Sequence, residues 1–357
     1  MKMKIALGLL LGVSVSLVSA QTPTDPGEAH IALARTAAGE DYQNLFNDWC
    51  SAGGPGGRGR GAGGAGRGAG GGQRAGAAAP GAAPGAAPAA APAGAPAGRG
   101  AGGGGGRGTP DRSTWYAEPV KVFDNLYFFG QTEYSAWALT SSEGIILIDA
   151  IFDYSVEEEV EGGMKKLGLD PTKIKYALLS HAHADHYGGG QFLQEKFGAR
   201  PVMGGPDWDT VERANGSKPK RDIVATDGQK ITVGDVSVTI YLTPGHTPGN
   251  LSYIFQVKDN GRTHTAALWG GTGLNADKAS LTDYVASAKR FAELARQAGA
   301  DIILSNHTAW DRSKINLPIV AKRTAGTPNP YITNNASVLR FIKVAEECAT
   351  ARLVRLP

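Results

Sequence analysis

From Val120 onward the chain alternates apolar and polar positions in short runs separated by Gly, Asp, Asn and Ser. NLYFFG, SAWALTSSEGIILIDA, KIKYALLS, RPVMGG, DIVATDGQKITVGDVSVTIYLTPG, NLSYIFQVKDNGRTHTAALWGG and DIILSN carry the period-two or continuous apolar pattern of strands. The DNGR inside the sixth of these predicts a hairpin turn. Between them, SVEEEVEGGMKKLGL, GGGQFLQEKFG, LTDYVASAKRFAELARQAG and the terminal SVLRFIKVAEECATARL carry helical spacing. Residues 27 to 50 read as one or two short amphipathic helices. Strand blocks interrupted by helices predict sheets covered by helices, hence a mixed α/β fold rather than an all-β one.

Two stretches break this pattern. Residues 1 to 20, MKMKIALGLLLGVSVSLVSA, combine a basic start, an apolar run and small residues before Gln21. That layout predicts a cleavable signal peptide and a periplasmic or secreted protein; the alternative is an uncleaved anchor. Residues 51 to 109 hold no aromatic and no branched aliphatic side chain, so they bury too little apolar surface to offset their ordering entropy. They predict a disordered Gly/Ala/Pro linker between an N-terminal helical segment (21–50) and one large domain (110–357). No later stretch is long and apolar enough for a membrane span.

Charge follows the same division. The formal net charge is +3, and the linker contributes Arg58, Arg60, Arg67, Arg74, Arg99 and Arg107 without an acid. Removing these six and Lys2 and Lys4 leaves 3 − 6 − 2 = −5, a mildly acidic folded part. A GRG-type segment binds nucleic acid in some proteins, but with no interleaved aromatics this one reads as a solvated spacer, and no nucleic-acid partner is expected. Oligomeric state has no signature in the sequence. The two cysteines, Cys50 and Cys348, are most simply a disulfide in an oxidising compartment, joining the N-terminal segment to the last helix. Two buried free thiols are the alternative.

The chemistry is concentrated in SHAHADHYGGG. His181, His183, Asp185 and His186 directly follow the strand-like KIKYALLS and precede a glycine run. His246, in PGHTPG, and His307, after DIILSN, also stand just past apolar runs. Five of the seven histidines therefore sit at predicted strand exits, where a rigid scaffold displays functional groups. Neutral imidazoles and a carboxylate suit Zn²⁺. In HxHxDH the donors can divide between two neighbouring ions, His181 and His183 on one, Asp185 and His186 on the other. His30 and His264 read as structural histidines.

These motifs, with NLYFFG and GIILIDA upstream, resemble the metallo-β-lactamase superfamily over most of residues 115 to 357. The resemblance implies an αββα four-layer sandwich with the metal groove at one edge of two facing sheets. It implies His181, His183 and His246 on a first zinc and Asp185, His186 and His307 on a second. Most superfamily hydrolases carry a metal-bridging aspartate on the strand that here reads THTAALWGGTGLN, and Gly270 and Gly271 stand at that place. A set with neither that aspartate nor a ligand cysteine is similar to the third subclass of metallo-β-lactamases.

The implied function is zinc-dependent hydrolysis of a small-molecule substrate, a β-lactam amide first. The nucleophile is a water activated between two zinc ions and oriented by Asp185. The alternative keeps the site and changes the substrate to another ester, lactone or amide. Many lactamases of that subclass have a serine pair where this chain has Thr272 and Asn275, which leaves the substrate open. Tyr187, Thr272, Asn275 and Trp310 are the expected substrate-groove residues; for the two aromatics, which adjoin ligands, packing is the alternative.

Overall fold

The computed structural model describes residues 25–50 and 109–357. The expected leader (1–20) and almost all of the expected linker (51–109) lie outside the described residues.

Among the described residues, twelve strands form two sheets. The first contains β1 (Val120–Lys121), β2 (Leu126–Phe128), β3 (Trp137–Thr140), β4 (Ile145–Ile148), β5 (Ile174–Leu178), β6 (Arg200–Gly204) and β7 (Ile223–Ala225), side by side in chain order. β1 to β4 are antiparallel and β4 to β7 parallel. The second contains β8 (Lys230–Val233), β9 (Val236–Leu242), β10 (Leu251–Asp259), β11 (Arg262–Trp269) and β12 (Ile302–Ser305), with β12 parallel to β11 and the rest antiparallel. The DNGR turn closes β10 onto β11, with Asn260 at φ 49° and Gly261 at φ 74°. Two successive positive φ values are what a tight right-twisted hairpin requires, and Asn-Gly adopts them at least cost.

The helices are α1 (Glu28–Ala38), α2 (Gln43–Cys50), α3 (Gly163–Lys166), α4 (Ala184–Tyr187), α5 (Gly190–Phe197), α6 (Gly205–Arg213), α7 (Lys278–Gln297), α8 (Ser313–Ala321) and α9 (Asn335–Val354). Burial separates three apolar layers. Phe128, Trp137, Ile146 and Leu178 face Val238, Ile240, Tyr253 and Leu304 between the sheets. Ile254, Ala267 and Trp269, on the outer face of the second sheet, pack with residues of α1, α2, α7 and α9. Ala138, Leu147 and Ala177, on the outer face of the first, pack with residues of α3 to α6. The order is helix, sheet, sheet, helix: the αββα sandwich.

Four helical segments depart from the sequence reading, among them α8, which it did not predict. SVEEEVEGGMKKLGL winds as a π-helical stretch, Glu157–Gly162, before α3. The histidine loop contains α4, and PDWDTVER forms α6, which buries Trp208 and Val211 at i and i+3 behind an N-terminal Pro206. α6 is short and polar overall, so its periodicity was too brief to register as a helix.

The N-terminal segment belongs to this domain. Cys50 and Cys348 form a disulfide with Cα atoms 4.8 Å apart, joining α2 to α9 across 298 positions of sequence. Asp25 pairs with Arg355, and Asp41 with both Arg312 and Arg340. His30 pairs with Glu347 and His264 with Asp301, the structural roles expected of them.

Candidate metal centre

Three strand ends meet at one edge of the sandwich. β5 delivers His181 and His183 and, through α4, Asp185 and His186; β9 leads into the turn that carries His246; β12 leads into His307. β5 lies in one sheet and β9 and β12 in the other, so the centre forms only where the two sheets face each other. Glycine lets the His246 turn close up. Gly245 sits at φ 133°, and a Cβ there would stand 2.5 Å from the Tyr284 backbone.

The donors fall into two groups of three, His181–His183–His246 and Asp185–His186–His307. In the first, His246 Nε2 lies 3.2 Å from His181 Nε2 and 3.2 Å from His183 Nδ1. A tetrahedral zinc with bonds of 2.0–2.1 Å needs donor–donor edges of about 3.3–3.4 Å, so the spacing fits a shared cation. In the second, Asp185 Oδ2 lies 3.1 Å from His186 Nε2 and 3.7 Å from His307 Nε2. His186 Nε2 is buried without a hydrogen-bond partner, an orphan that a metal would satisfy. Each group thus fits a metal ion on its own geometry and chemistry.

The opposite ring nitrogens are held by the scaffold. His246 Nδ1 donates to Gly273 O (3.0 Å) and His186 Nδ1 to Asp149 Oδ2 (2.9 Å). His181 Nδ1 donates to Ser180 Oγ (3.1 Å), which itself donates to Asp149 Oδ2 (2.9 Å). These bonds fix the tautomers so that Nε2 of all three rings points at the centre. Asp149 supports one group directly and the other through Ser180. It also accepts Ser180 N at 2.7 Å, and it adopts φ 62°, a left-handed conformation costly for a non-glycine residue.

Burial and charge act differently on the two groups. Desolvation, then the neighbouring imidazoles, pushes His181 well below the usual histidine range and His246 to about 3. Desolvation also dominates at His183, which is lowered, and at His307, lowered to about 3. At His186 desolvation is outweighed by the carboxylates of Asp185 and Asp149, which raise it to about 10. Burial pushes Asp185 upward, but His186, His307 and His183 overcome it and hold the carboxyl well below its ordinary range.

The four expected groove residues take different places. Trp310 stands beside the centre, its ring centroid 4.7 Å from that of His307, with Nε1 donating to Asp48 of α2. Tyr187 is buried in the apolar layer under the first sheet and packs there. Thr272 is buried and donates to Asn306 Oδ1, and Asn275 donates to the carbonyls of Gly245 (2.8 Å) and His246 (2.9 Å). Thr272 and Asn275 are thus hydrogen-bonded to the scaffold beside the centre. The reason is that the 270–275 turn folds back onto the His246 and His307 loops. Gly270 is sterically closed: a Cβ there would lie 1.9 Å from Leu251 O. No side chain, acidic or otherwise, fits at that position without moving β10.

Sequence reasoning missed Tyr134, whose ring lies 5.1 Å from His307 and 6.4 Å from His186 and packs on Phe152. It also missed Asp149 and Asn306. Asn306 donates to Ser180 Oγ (3.1 Å) and Gly270 O (2.8 Å) beneath both groups. The one available signal for Asp149 was an acid ending a fully apolar strand, GIILIDA, where burial demands a polar partner.

Comparison with known proteins agrees with this geometry. Residues 130–259 match the family description of the metallo-β-lactamase superfamily. A hydroxyacylglutathione hydrolase of Pseudomonas syringae is 30% identical over 191 residues, which cover 45% of this chain and 69% of that protein. The N-acyl homoserine lactonase AttM of Azorhizobium caulinodans is 27% identical over 177 residues, 42% of this chain and 65% of that one. Against three other hydroxyacylglutathione hydrolases the match spans only 31–44% of their length. Among solved structures, the subclass B3 metallo-β-lactamase BJP-1 of Bradyrhizobium japonicum superposes with a TM-score of 0.57 at 25% identity, covering 66% of this chain and 94% of that one. Fold, candidate donor set and relatives agree on one family. The chain belongs to the metallo-β-lactamase superfamily.

Proposed function

We propose that the chain is an exported hydrolase that holds two zinc ions and opens the amide of a β-lactam ring with water as nucleophile. The observation that carries this reading is the convergence of six donors, in two adjacent groups of three, at the meeting edge of the sheets. His181, His183 and His246 would hold one zinc, and Asp185, His186 and His307 the other. Zinc supplies the acidity that makes water nucleophilic near neutral pH and the positive charge that polarises the substrate carbonyl. Asp185, ionised at working pH, orients the attacking water by accepting its hydrogen on a carboxylate oxygen. Asp149 keeps the Nδ1 proton of His186 in place, so that ring stays oriented through turnover. Tyr134 and Trp310 wall the second group and limit the approach of bulk water. The disulfide supports export, because such bonds persist in oxidising compartments.

A second reading keeps every one of these residues and changes the substrate to a lactone or thioester. Two observations favour it: relatives are named as a lactonase and as hydroxyacylglutathione hydrolases, and Thr272 and Asn275 are bonded to the scaffold rather than free for a substrate carboxylate. The deciding experiment assays zinc-loaded protein on a chromogenic cephalosporin, an acyl homoserine lactone and an acyl-glutathione thioester, each with and without a chelator. Chelator-sensitive cephalosporin turnover supports the lactamase reading. Turnover of only the lactone or thioester replaces it with the second.

A further inference from the structure

A fully buried carboxylate outside the donor set touches the loops of both sheets. Asp207 lies in the first turn of α6, which follows β6 in the first sheet. Its Oδ2 accepts Ala182 N at 2.9 Å and Thr247 Oγ1 at 2.6 Å; its Oδ1 accepts Gly249 N at 2.8 Å. Ala182 is the residue between His181 and His183. Thr247 follows His246 directly, and Gly249 ends the same turn.

The approach is close on every side. A Cβ on Gly204 would stand 2.1 Å from Gly249 O, and one on Gly249 would stand 2.7 Å from Asp207 N. Glycine at both positions lets the start of α6 press against the His246 turn. Nothing else among the described residues bonds the Ala182 N–H, so Asp207 alone ties the backbone between two histidines to the turn that carries the third.

Building on the metal reading above, we propose that Asp207 is the positioning residue of the first zinc group, a single carboxylate that sets the separation of His246 from His181 and His183. It makes no bond to Asp185, His186 or His307. Its influence is therefore selective: the first group depends on it and the second does not. In an Asp207→Asn chain one acceptor oxygen becomes an NH₂ facing the donors Ala182 N–H or Gly249 N–H, and the tie between the loops opens.

The test uses the full chain in two backgrounds, His186→Ala, in which only the first group holds a metal, and His246→Ala, in which only the second does. Zn²⁺ affinity is read by competition with a chromogenic chelator, and Co²⁺ geometry by visible absorption. Asp207→Asn should weaken Zn²⁺ binding in the His186→Ala background by about 10- to 100-fold and alter the Co²⁺ bands. In the His246→Ala background binding should stay within about threefold of the parent, since no partner of Asp207 lies there. Unchanged binding in the first background, or an equal loss in both, overturns the proposal. Should Asp207→Asn not fold, Thr247→Val and Thr247→Ser decide. Loss with valine and recovery with serine supports the brace; identical binding by the two overturns it. A parent chain that takes up no Zn²⁺ overturns the metal reading and the brace with it, whereas Zn²⁺ uptake unaffected by these substitutions removes the brace alone.

Discussion

The two donor groups share one edge of the sandwich and differ in charge. The first consists of three imidazoles, two of which rest their outward nitrogens on a carbonyl and a hydroxyl, His246 on Gly273 and His181 on Ser180, and burial drives its histidines neutral. The second contains a carboxylate, and its most buried histidine lies between that carboxylate and Asp149. Neutral donors in a desolvated pocket present lone pairs to a cation with no proton to displace. An imidazole between two carboxylates holds a proton until a cation replaces it, so metal binding there releases one. Equal numbers of ligands thus make two unlike sites. Another buried carboxylate, Glu159 in the π-helical stretch, sharpens the contrast. Nothing cationic overcomes its burial, and it is pushed up to about 8, whereas Asp185, just as enclosed, stays ionised because imidazoles surround it.

The harshest way to break the comparison is to delete one donor from each group. His246→Ala and His186→Ala should each lose one zinc equivalent by elemental analysis and lower kcat by more than about 100-fold, since outer supports alone are worth 10- to 100-fold. Retention of both equivalents in either variant would refute the division into two groups. Asp149→Asn is the next step down. It should weaken the second group by about 10- to 100-fold and the first by less, because its path to His181 runs through Ser180. Equal losses, measured by zinc competition, would show that the groups are not separately braced.

Reduction of the disulfide, or Cys50→Ser with Cys348→Ser, should lower stability by about 2–4 kcal/mol in urea unfolding. Because Asp48 of α2 holds Trp310 over His307, the accompanying metal loss should fall on the second group. The smallest effect tests the charge argument away from the centre. Between the unfolded pKa near 4.5 and the folded value of about 8, the unfolded chain ionises Glu159 while the folded one keeps its proton. Stability from this residue therefore falls as pH rises through that window. Glu159→Gln removes the fall, so the difference between variant and parent should grow in the variant's favour by about 1–3 kcal/mol from pH 5 to pH 8.5. A difference independent of pH would mean that Glu159 is ionised in the folded protein.

Alternation of apolar and polar residues was enough to place most strands and the long helices, because each of those signals lies within a few neighbouring positions. The same holds for the six donors, which sit in short motifs at the ends of apolar runs, and for the disulfide, since two cysteines admit one pairing. The brevity of α6 and the π-helical winding of 157–162 hid them from any periodic pattern.

What the sequence by itself determined was therefore the class of fold, the candidate donor residues and the residues joined by the disulfide. The tertiary structure decided how those donors are held. Asp149 meets His186 across 37 positions, Asp207 meets Thr247 across 40, and Asn306 meets Ser180 across 126. It also turned Thr272 and Asn275 inward and brought Tyr134 and Trp310 to His307. The physical reason is the same in each case. A metal ligand announces itself through its own donor atom and local spacing, whereas a buried polar support is defined by the partner that satisfies it, and that partner arrives only when distant loops close on one another.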